Sequence, residues 1–254
     1  MPDIPIPHDT AQVFRAAGRN CRNLGLLFDR FTGYGPDWSQ EGGQKHDEAR
    51  RLVDECNRWA GDPAYKGFYD GICARWEKVM QRAGATPFIA SPEWRLVVGL
   101  GRDSAFETGL TLHRVYGCPY IPGSALKGMT QAWAEAKDMP DAERREMFGV
   151  QECAGGAVFF DALPSTPPRL KLDVMNPHYP DYYRPGERKY PSDWQSPVPV
   201  FFITVEKGTR FLFGVGRRDG DENKAGTARD WLQRALREMG VGGKTTSGYG
   251  YWNF

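Results

Sequence analysis

Two glycine-containing stretches carry the residues best suited to chemistry, and both indicate anion binding. The first, residues 107–128 (ETGLTLHRVYGCPYIPGSALKG), contains Pro122 and Gly123 just before a helix that we expect to begin near Ser124. The first turn of a helix exposes backbone N–H groups that lack partners within the helix, and Lys127 adds a positive charge one turn in. The start of this helix is therefore predicted to hold a phosphate group.

The second stretch, GVGGKTTSGYG at residues 240–250, also combines backbone N–H donors with a lysine. Two such loops in one chain indicate a ligand that carries phosphate groups. The stretch does not match a Walker A P-loop, because Glu238 stands at the position of that motif's first glycine. A helix is also predicted before it and a strand after it, which reverses the P-loop order. We therefore do not expect hydrolysis of nucleoside triphosphates.

His113 is the one histidine of the first stretch, and its role has two interpretations. It could act as an acid or base in RNA cleavage, or it could stack on a base or form a hydrogen bond within its own loop. Because no catalytic partner is identifiable, the non-catalytic interpretation is favoured. The four histidines and five cysteines form no HxxxH or CxxC pair, so neither a metal site nor another cofactor is expected.

Composition and charge restrict the class of protein. The formal net charge of +1 over 254 residues is low for a nucleic-acid-binding domain that acts alone. A basic face must therefore be local, or be completed by neighbouring subunits. The unpaired cysteines are typical of a reducing compartment. Since no signal peptide and no long apolar run is present, we expect a cytoplasmic protein without a membrane partner.

Hydrophobic periodicity predicts an α+β protein with a helical first part, residues 1–86, and a mixed second part, residues 87–254. The first part begins with an extended arm at 1–10, and the first of its three predicted helices covers 12–31. The second part approximates the split βαβ order of a ferredoxin-like, RNA-recognition-type fold with an antiparallel sheet. Its predicted helices are 124–136, 142–148 and 227–239, and its predicted strands are 94–101, 157–163, 170–175, 200–205, 210–215 and 249–254. The strands 200–205 and 210–215 are expected to pair as a hairpin.

Residues 176–199 form an insertion that is too long for a simple turn and holds six prolines and four tyrosines. Its aromatic and basic side chains interleave, as in proteins that stack on unpaired bases beside backbone phosphates. Tyrosines and prolines are equally common in ordered protein–protein contacts, so both interpretations stay open.

The two stretches together resemble the RAMP superfamily of CRISPR-associated proteins. YIPGSALKG at residues 120–128 resembles the internal motif of that family, and residues 240–250 resemble its C-terminal glycine-rich loop. The longer ETGLTLHRVYGCPYIPGS, with the chain length and the helical first part, is most similar to the sixth subunit of the type III-B (Cmr) effector complex. The resemblance covers roughly residues 94–254.

The resemblance implies a subunit that binds CRISPR guide RNA near its 3′ end and helps to position the complementary target RNA. Its implied protein partners are the repeating backbone RAMP subunit, the small helical subunit and a terminal RAMP subunit. Residues 176–199 would form a thumb that wedges between guide and target, with the candidates Tyr182, Tyr183, Arg184, Arg188 and Lys189. Because guide sequences vary, the contacts are expected to be to the RNA backbone.

The residues that the resemblance assigns to RNA binding fall in the two stretches. They are His113, Arg114, Gly123, Ser124, Lys127, Gly242, Gly243, Lys244, Thr245, Thr246, Ser247, Gly248 and Tyr249.

The chain departs from the family at the position that matters for catalysis. Target-cleaving backbone subunits carry an aspartate five residues before the position of Arg114, and here that residue is Gly109. Glu107 and Asp103 are nearby, but neither is at the matching position. We therefore predict no catalytic residues and no cleavage by this subunit. Two alternatives stay open: an endoribonuclease of the same superfamily that uses His113 to process the guide precursor, and a purely structural scaffold.

Overall fold

A computed structural model describes residues 4–17, 21–35, 42–179, 182, 190–191, 196–218 and 222–254. Four thumb candidates lie outside these described residues: Tyr183, Arg184, Arg188 and Lys189.

In the described residues of the first part there are four helices: α1 (His8–Ala17), α2 (Leu24–Asp29), α3 (Gly42–Trp59) and α4 (Pro63–Arg82). The predicted continuous helix over 12–31 is wrong, because residues 21–23 are not helical and a new helix begins after Asn23. The Asn23 side chain accepts a hydrogen bond of 3.0 Å from the backbone N–H of Leu26, which is the usual function of an N-cap residue. The predicted arm at 1–10 is also shorter than expected, since α1 begins at His8.

Among its described residues, the second part contains three α-helices and ten strands, many of them short. The helices are α5 (Gly123–Ala136), α6 (Asp141–Phe148) and α7 (Glu222–Glu238). The strands are β1 (Phe88–Pro92), β2 (Gly149–Val150), β3 (Cys153–Ala154), β4 (Ala157–Phe159), β5 (Leu163–Pro164), β6 (Leu170–Met175), β7 (Val200–Val205), β8 (Phe211–Phe213), β9 (Val215–Arg217) and β10 (Trp252–Asn253).

An antiparallel sheet in the order β10–β1–β8–β5 forms the centre of the protein. The β4–β9 pair continues the same two chain segments beyond Gly214. Helices α5 and α7 pack against each other and against β4, and α7 also contacts β9 and β10. The separate β6–β7 hairpin carries α3 on its surface. No helix within the described ranges is both long and apolar enough to cross a membrane.

Two strand predictions are wrong. Residues 94–101 contribute a single bridge, Leu96 to Val205, whereas β1 lies upstream of them. Strand β7 does not pair with β8, because it forms six consecutive register pairs with β6. Strand β8 instead buries Phe211 and Phe213 in the central sheet, where both rings meet Trp252 edge-on. Burial of these two rings favours the central sheet over a local hairpin.

The last strand is shorter than predicted. Only Trp252 and Asn253 form β10. Upstream of them, the backbone N–H of Val241 donates to the carbonyl of Gly250, which has a φ of +73°. This left-handed conformation suits glycine and interrupts an extended strand.

The N-terminal helices and the sheets share one hydrophobic core. Buried Leu52 and Tyr69 belong to the same cluster as Ile121. Asn57 of α3 also bonds twice with the backbone of Leu170 in β6, as donor to its carbonyl and acceptor from its N–H, both at 2.9 Å. Helices α2 to α4 are therefore packed onto the rest of the molecule, and the division at residues 86 and 87 stays a prediction.

Candidate nucleic-acid interface

The first glycine-containing stretch runs beside residues 95–101. The N–H of Gly109 donates to the carbonyl of Leu100 at 3.0 Å, and that of Thr111 donates to Val98 at 2.8 Å. The two segments approach so closely that a Cβ atom on Gly109 would overlap the carbonyl oxygen of Gly99. This contact requires glycine at position 109.

The second stretch attaches to the same residues 95–101. The N–H of Gly243 donates to the carbonyl of Val97 at 2.7 Å, and that of Gly250 donates to Arg95 at 2.8 Å. Val97 and Val98 are adjacent, and successive carbonyls of an extended chain point in opposite directions. One short segment, residues 95–100, therefore holds both stretches, the first through Val98 and Leu100 and the second through Arg95 and Val97.

The glycine-rich loop itself is tightly folded. Residues Thr245–Ser247 form a single 3₁₀ turn, and Lys244 before it has the left-handed φ of 60°. The Lys244 ammonium lies 3.9 Å from the sulfur of Met175 and 5.6 Å from the ring centroid of Phe202. Since Met175 ends β6 and Phe202 lies in β7, this lysine is at the end of the hairpin from which residues 176–199 extend.

The start of α5 differs from the prediction. The N–H of Gly123 donates to Oδ1 of Asp161 at 2.7 Å, and the Ala125 and Leu126 N–H groups donate to the carbonyl of Pro122 at 2.9 and 3.1 Å. We expected the backbone N–H groups of the first turn to lack partners, and this is wrong for Ala125 and Leu126. The Asp161 carboxylate also brings a negative charge to the helix start, where a phosphate was expected. The prediction missed this contact because Asp161 lies between β4 and β5 and reaches the start of α5 only in the folded protein.

The side chains at this helix start remain accessible. Ser124 is exposed and Lys127 is half-buried. Gly123 packs so closely on β4 that a Cβ atom there would overlap the carbonyl oxygen of Phe159. RNA binding by these three residues stays a prediction.

His113 organises its own loop. Its Nδ1 accepts hydrogen bonds from the N–H groups of Val115 (3.3 Å) and Tyr116 (3.2 Å), and its ring stacks on Tyr116 with centroids 4.5 Å apart. Its backbone N–H donates to Cys118, and its carbonyl accepts from Gly117, both at 2.7 Å. Burial lowers the pKa of His113, although the charge of Asp161 acts in the opposite direction. A neutral imidazole therefore holds the loop together.

Arg114 lies exposed at the tip of this loop, whose ends are joined by the bridge between Leu112 and Pro119. His113 and Arg114, which are neighbours in the sequence, therefore have different surroundings. The ring of His113 is engaged inside the loop, and the guanidinium of Arg114 faces solvent.

A half-buried polar cluster beneath the glycine-rich loop was not found by sequence reasoning. The Tyr249 hydroxyl donates to Oδ2 of Asp173 at 2.7 Å, and Arg95 forms an ion pair with the same carboxylate. Burial and the hydrogen bond to Asp173 raise the pKa of Tyr249 to about 12. Burial alone would raise the pKa of Asp173, but hydrogen bonds from Tyr249, Val174 and Arg95 hold it below the ordinary value.

Two of the residues that were missed had a signal in the sequence. Asp161 is the one charged residue of AVFFDAL, and Asp173 is the one acid of LKLDVM. An acid inside an apolar run needs a partner when the run is buried, but the sequence does not identify that partner.

The position of the predicted thumb is defined by its ends. Met175 and Val200 form the last register pair of β6 and β7, so residues 176–199 leave and return at the same place. Tyr182 is exposed. Within the described ranges, no three His, Cys, Asp or Glu residues come together as a group that could hold a metal ion.

The chain is similar to two curated proteins named as Cmr6 subunits of CRISPR systems. The Pyrococcus furiosus protein is 36% identical over 219 aligned residues, which cover 61% of this chain and 64% of that protein. The Saccharolobus solfataricus protein is 28% identical over 146 residues, which cover 57% of this chain and 48% of that protein. The chain thus spans about two thirds and about half of the lengths of these relatives.

A chain in the cryo-EM structure of the type III-B Cmr-beta complex bound to cognate target RNA has a similar fold. The TM-score is 0.65 at 19% identity, and the match covers 87% of this chain and 76% of that one. The model of the RAMP superfamily matches residues 92–253, which include both glycine-containing stretches and the sheets around them. This protein belongs to the RAMP superfamily.

Proposed function

We propose that this chain is a non-catalytic, guide-RNA-binding subunit of a type III-B CRISPR effector complex. The observation that carries the proposal is the attachment of both RAMP stretches to one short segment, residues 95–100, with Lys244 at the base of the predicted thumb. The names of the related proteins support the assignment to such a complex. The complex would act in antiviral defence.

In this proposal the RNA is held through its phosphates. The backbone donors of residues 242–248, with Lys244, would bind one part of the RNA backbone without reading its sequence. Lys127, Ser124 and the exposed Arg114 would bind another part. Residues 176–199 would reach between guide and target near the 3′ end of the guide. The repeating backbone RAMP, the small helical subunit and a terminal RAMP would complete the basic surface that a net charge of +1 does not provide.

The proposal includes a ferredoxin-like domain for residues 87–254. The sheet order β10–β1–β8–β5 corresponds to fourth, first, third and second strands, with α5 and α7 in the two crossover positions. Residues 1–86 are then a helical extension that packs on this domain.

The absence of catalysis is supported by the space around Gly109. A Cβ atom there would lie 2.7 Å from the Cβ of Arg102 and would overlap the carbonyl of Gly99. An aspartate therefore does not fit at the position where cleaving subunits carry one. Glu107 forms an ion pair of 2.9 Å with Lys45.

The endoribonuclease alternative is disfavoured by the hydrogen bonds of His113. Its Nδ1 accepts from two backbone N–H groups of its own loop, so this nitrogen is occupied by a structural role and is not free to exchange a proton with a substrate.

The test is retention of RNA by the complex purified with Lys244→Ala or Lys127→Ala in this subunit. We expect less co-purified guide RNA and weaker dependence of binding on salt, because each lysine neutralises a phosphate. Lys78→Ala, an exposed lysine on α4, is the matched control. Unchanged RNA retention with full assembly would favour the scaffold alternative. Target cleavage should persist with Glu107→Ala and Asp103→Ala, and loss of one specific cut would contradict a non-catalytic role.

A further inference from the structure

A cavity of about 330 Å³ lies between the His113 loop and the N-terminal helices, away from the glycine-rich loop. Tyr116 and Val115 line one side, and Phe68 of α4 lines another, with Arg22 and Asn23 at the start of α2. Phe68 is 45% exposed and Val115 is 71% exposed. Apolar side chains so open to water, beside a motif of this family, need an explanation.

The aromatic surface is held in a fixed conformation. Tyr116 stacks on His113, and its hydroxyl accepts from Nη1 of Arg75 at 3.4 Å. The Asn23 side-chain amide donates to the carbonyl of Val115 at 3.1 Å, so α2 fixes the loop from the other side. A binding surface that is already ordered loses little entropy when a ligand stacks on it.

The charges around the cavity are mainly positive. Arg22 and Arg75 flank it, and Arg114 is exposed beside Val115. Asp62 is the acid at this site, and it pairs with Arg22 at 2.7 Å. Aromatic rings surrounded by arginines are the combination that binds an unpaired base and its flanking phosphates.

The geometry points to a second RNA contact: an unpaired nucleobase of single-stranded RNA enters this cavity beside Phe68 and Tyr116, and the arginines bind its phosphates. We expect little selectivity among bases, because stacking on an aromatic ring does not read base edges and both polar atoms of the Asn23 amide already bond to the backbone. It makes the helical extension part of the RNA-binding surface. The inference rests on the proposed function.

The test is binding of fluorescein-labelled polyuridine to the full chain, followed by fluorescence anisotropy. Phe68→Ala should weaken binding roughly tenfold, since one stacking platform is lost. Phe68→Tyr should bind as the wild type does. Val79→Ala, at a comparably exposed position of the same helix, should have no effect. Val115→Glu keeps the core intact and should weaken binding through its negative charge. Thermal melting checks that each variant is folded.

The outcomes separate this inference from the proposed function. If Lys244→Ala weakens binding but Phe68→Ala and Val115→Glu do not, the cavity is not an RNA site and the proposed function stands. If Phe68→Ala and Val115→Glu bind RNA as the wild type does but no longer co-purify with a neighbouring subunit, the cavity is a protein interface and the inference is wrong. If the wild-type chain alone binds no RNA, the same variants are compared in the purified complex, because neighbouring subunits complete the basic surface. No RNA binding by the wild-type complex would contradict both proposals. Photo-cross-linking of thiouridine-containing RNA to the peptide with residues 113–118 would support the inference directly.

Discussion

The Tyr249 hydroxyl donates a hydrogen bond of 2.7 Å to Oδ2 of Asp173, and so ties the C-terminal glycine-rich loop to the middle of β6. Arg95 forms an ion pair with the same carboxylate and lies in the segment 95–100, to which both RAMP stretches are hydrogen-bonded. Three parts of the chain that are distant in sequence therefore meet at one half-buried carboxylate.

Removal of this hydrogen bond should destabilise the protein. We expect Tyr249→Phe to lower the free energy of unfolding by about 1.5 kcal/mol, because the bond is made to a charged group that is only half-buried. Urea denaturation would measure the loss. Tyr251→Phe is the control, since the Tyr251 hydroxyl forms no hydrogen bond among the residues that the structure describes. Equal stability of the two variants would contradict the importance of this contact.

The stabilisation by the hydrogen bond between Tyr249 and Asp173 should fall in both acid and strong base. The Tyr249 pKa of about 12 exceeds the ordinary value of 10.0, so its stabilisation is complete below pH 10 and is lost as the pH rises towards 12. The Asp173 pKa is below 3.8, so its stabilisation is present above that value and is lost at lower pH. The stability difference between wild type and Tyr249→Phe should therefore be largest near neutral pH and should shrink in acid and in strong base.

Asp161 should oppose phosphate binding at the start of α5. We expect Asp161→Asn to strengthen RNA binding, because it removes a negative charge that lies 2.7 Å from the Gly123 nitrogen. The variant should also be less stable by about 0.3–1 kcal/mol, because a neutral amide oxygen replaces a carboxylate at the helix start. Salt-dependent RNA binding and thermal melting would measure the two effects. Glu143→Gln, in the first turn of α6, should change neither by as much, and weaker RNA binding by Asp161→Asn would argue against a phosphate at this helix start.

Gly109 should tolerate no side chain. We expect Gly109→Ala to lower the free energy of unfolding by about 1–3 kcal/mol, because its Cβ atom has no room beside Gly99 and Arg102. Gly101→Ala is the matched control, since a Cβ atom there meets nothing within 4 Å. Chemical denaturation of both variants tests the comparison, and a stable Gly109→Ala protein would reopen the question of an acid at this position.

His113 should titrate below the ordinary histidine value of 6.5. Since burial disfavours its charged form, the loop is stable above this pH and weakens as the pH falls through the lower, folded-state pKa. An NMR titration, assigned with a His113→Gln variant, would measure the pKa, and the Val115 and Tyr116 amides should exchange faster once the ring is protonated. A pKa above 6.5 would favour the acid–base role instead.

Local patterns predicted the long helices well. Helices α5 and α6 agree with their predicted ends, 124–136 and 142–148, to within one residue, because amphipathic periodicity and flanking prolines are local signals. The break before α2 was missed, since Asn23 is a common residue inside a periodic segment and its capping bond is visible only in the structure.

Long-range pairing was the part that the sequence did not reveal. Strand β7 has an adjacent candidate partner in β8, yet it pairs with β6 across residues 176–199. The partners of the candidate site were missed for the same reason. Asp161 caps a helix that begins 38 residues earlier, and Tyr249 meets an acid 76 residues away. Both motifs were recognisable, but the acids that modify their electrostatics were not.

The register of the β6–β7 hairpin allows residues 176–199 to vary in length during evolution. Because Met175 and Val200 are paired, the ends of residues 176–199 are fixed by the ladder below them. Closing a loop costs little more when the loop grows, about 0.6 kcal/mol for each doubling of its length. An insertion or deletion in this segment should therefore cost little folding free energy. We expect the length of the predicted thumb to differ among related proteins while the glycine-rich loop at its base keeps its length.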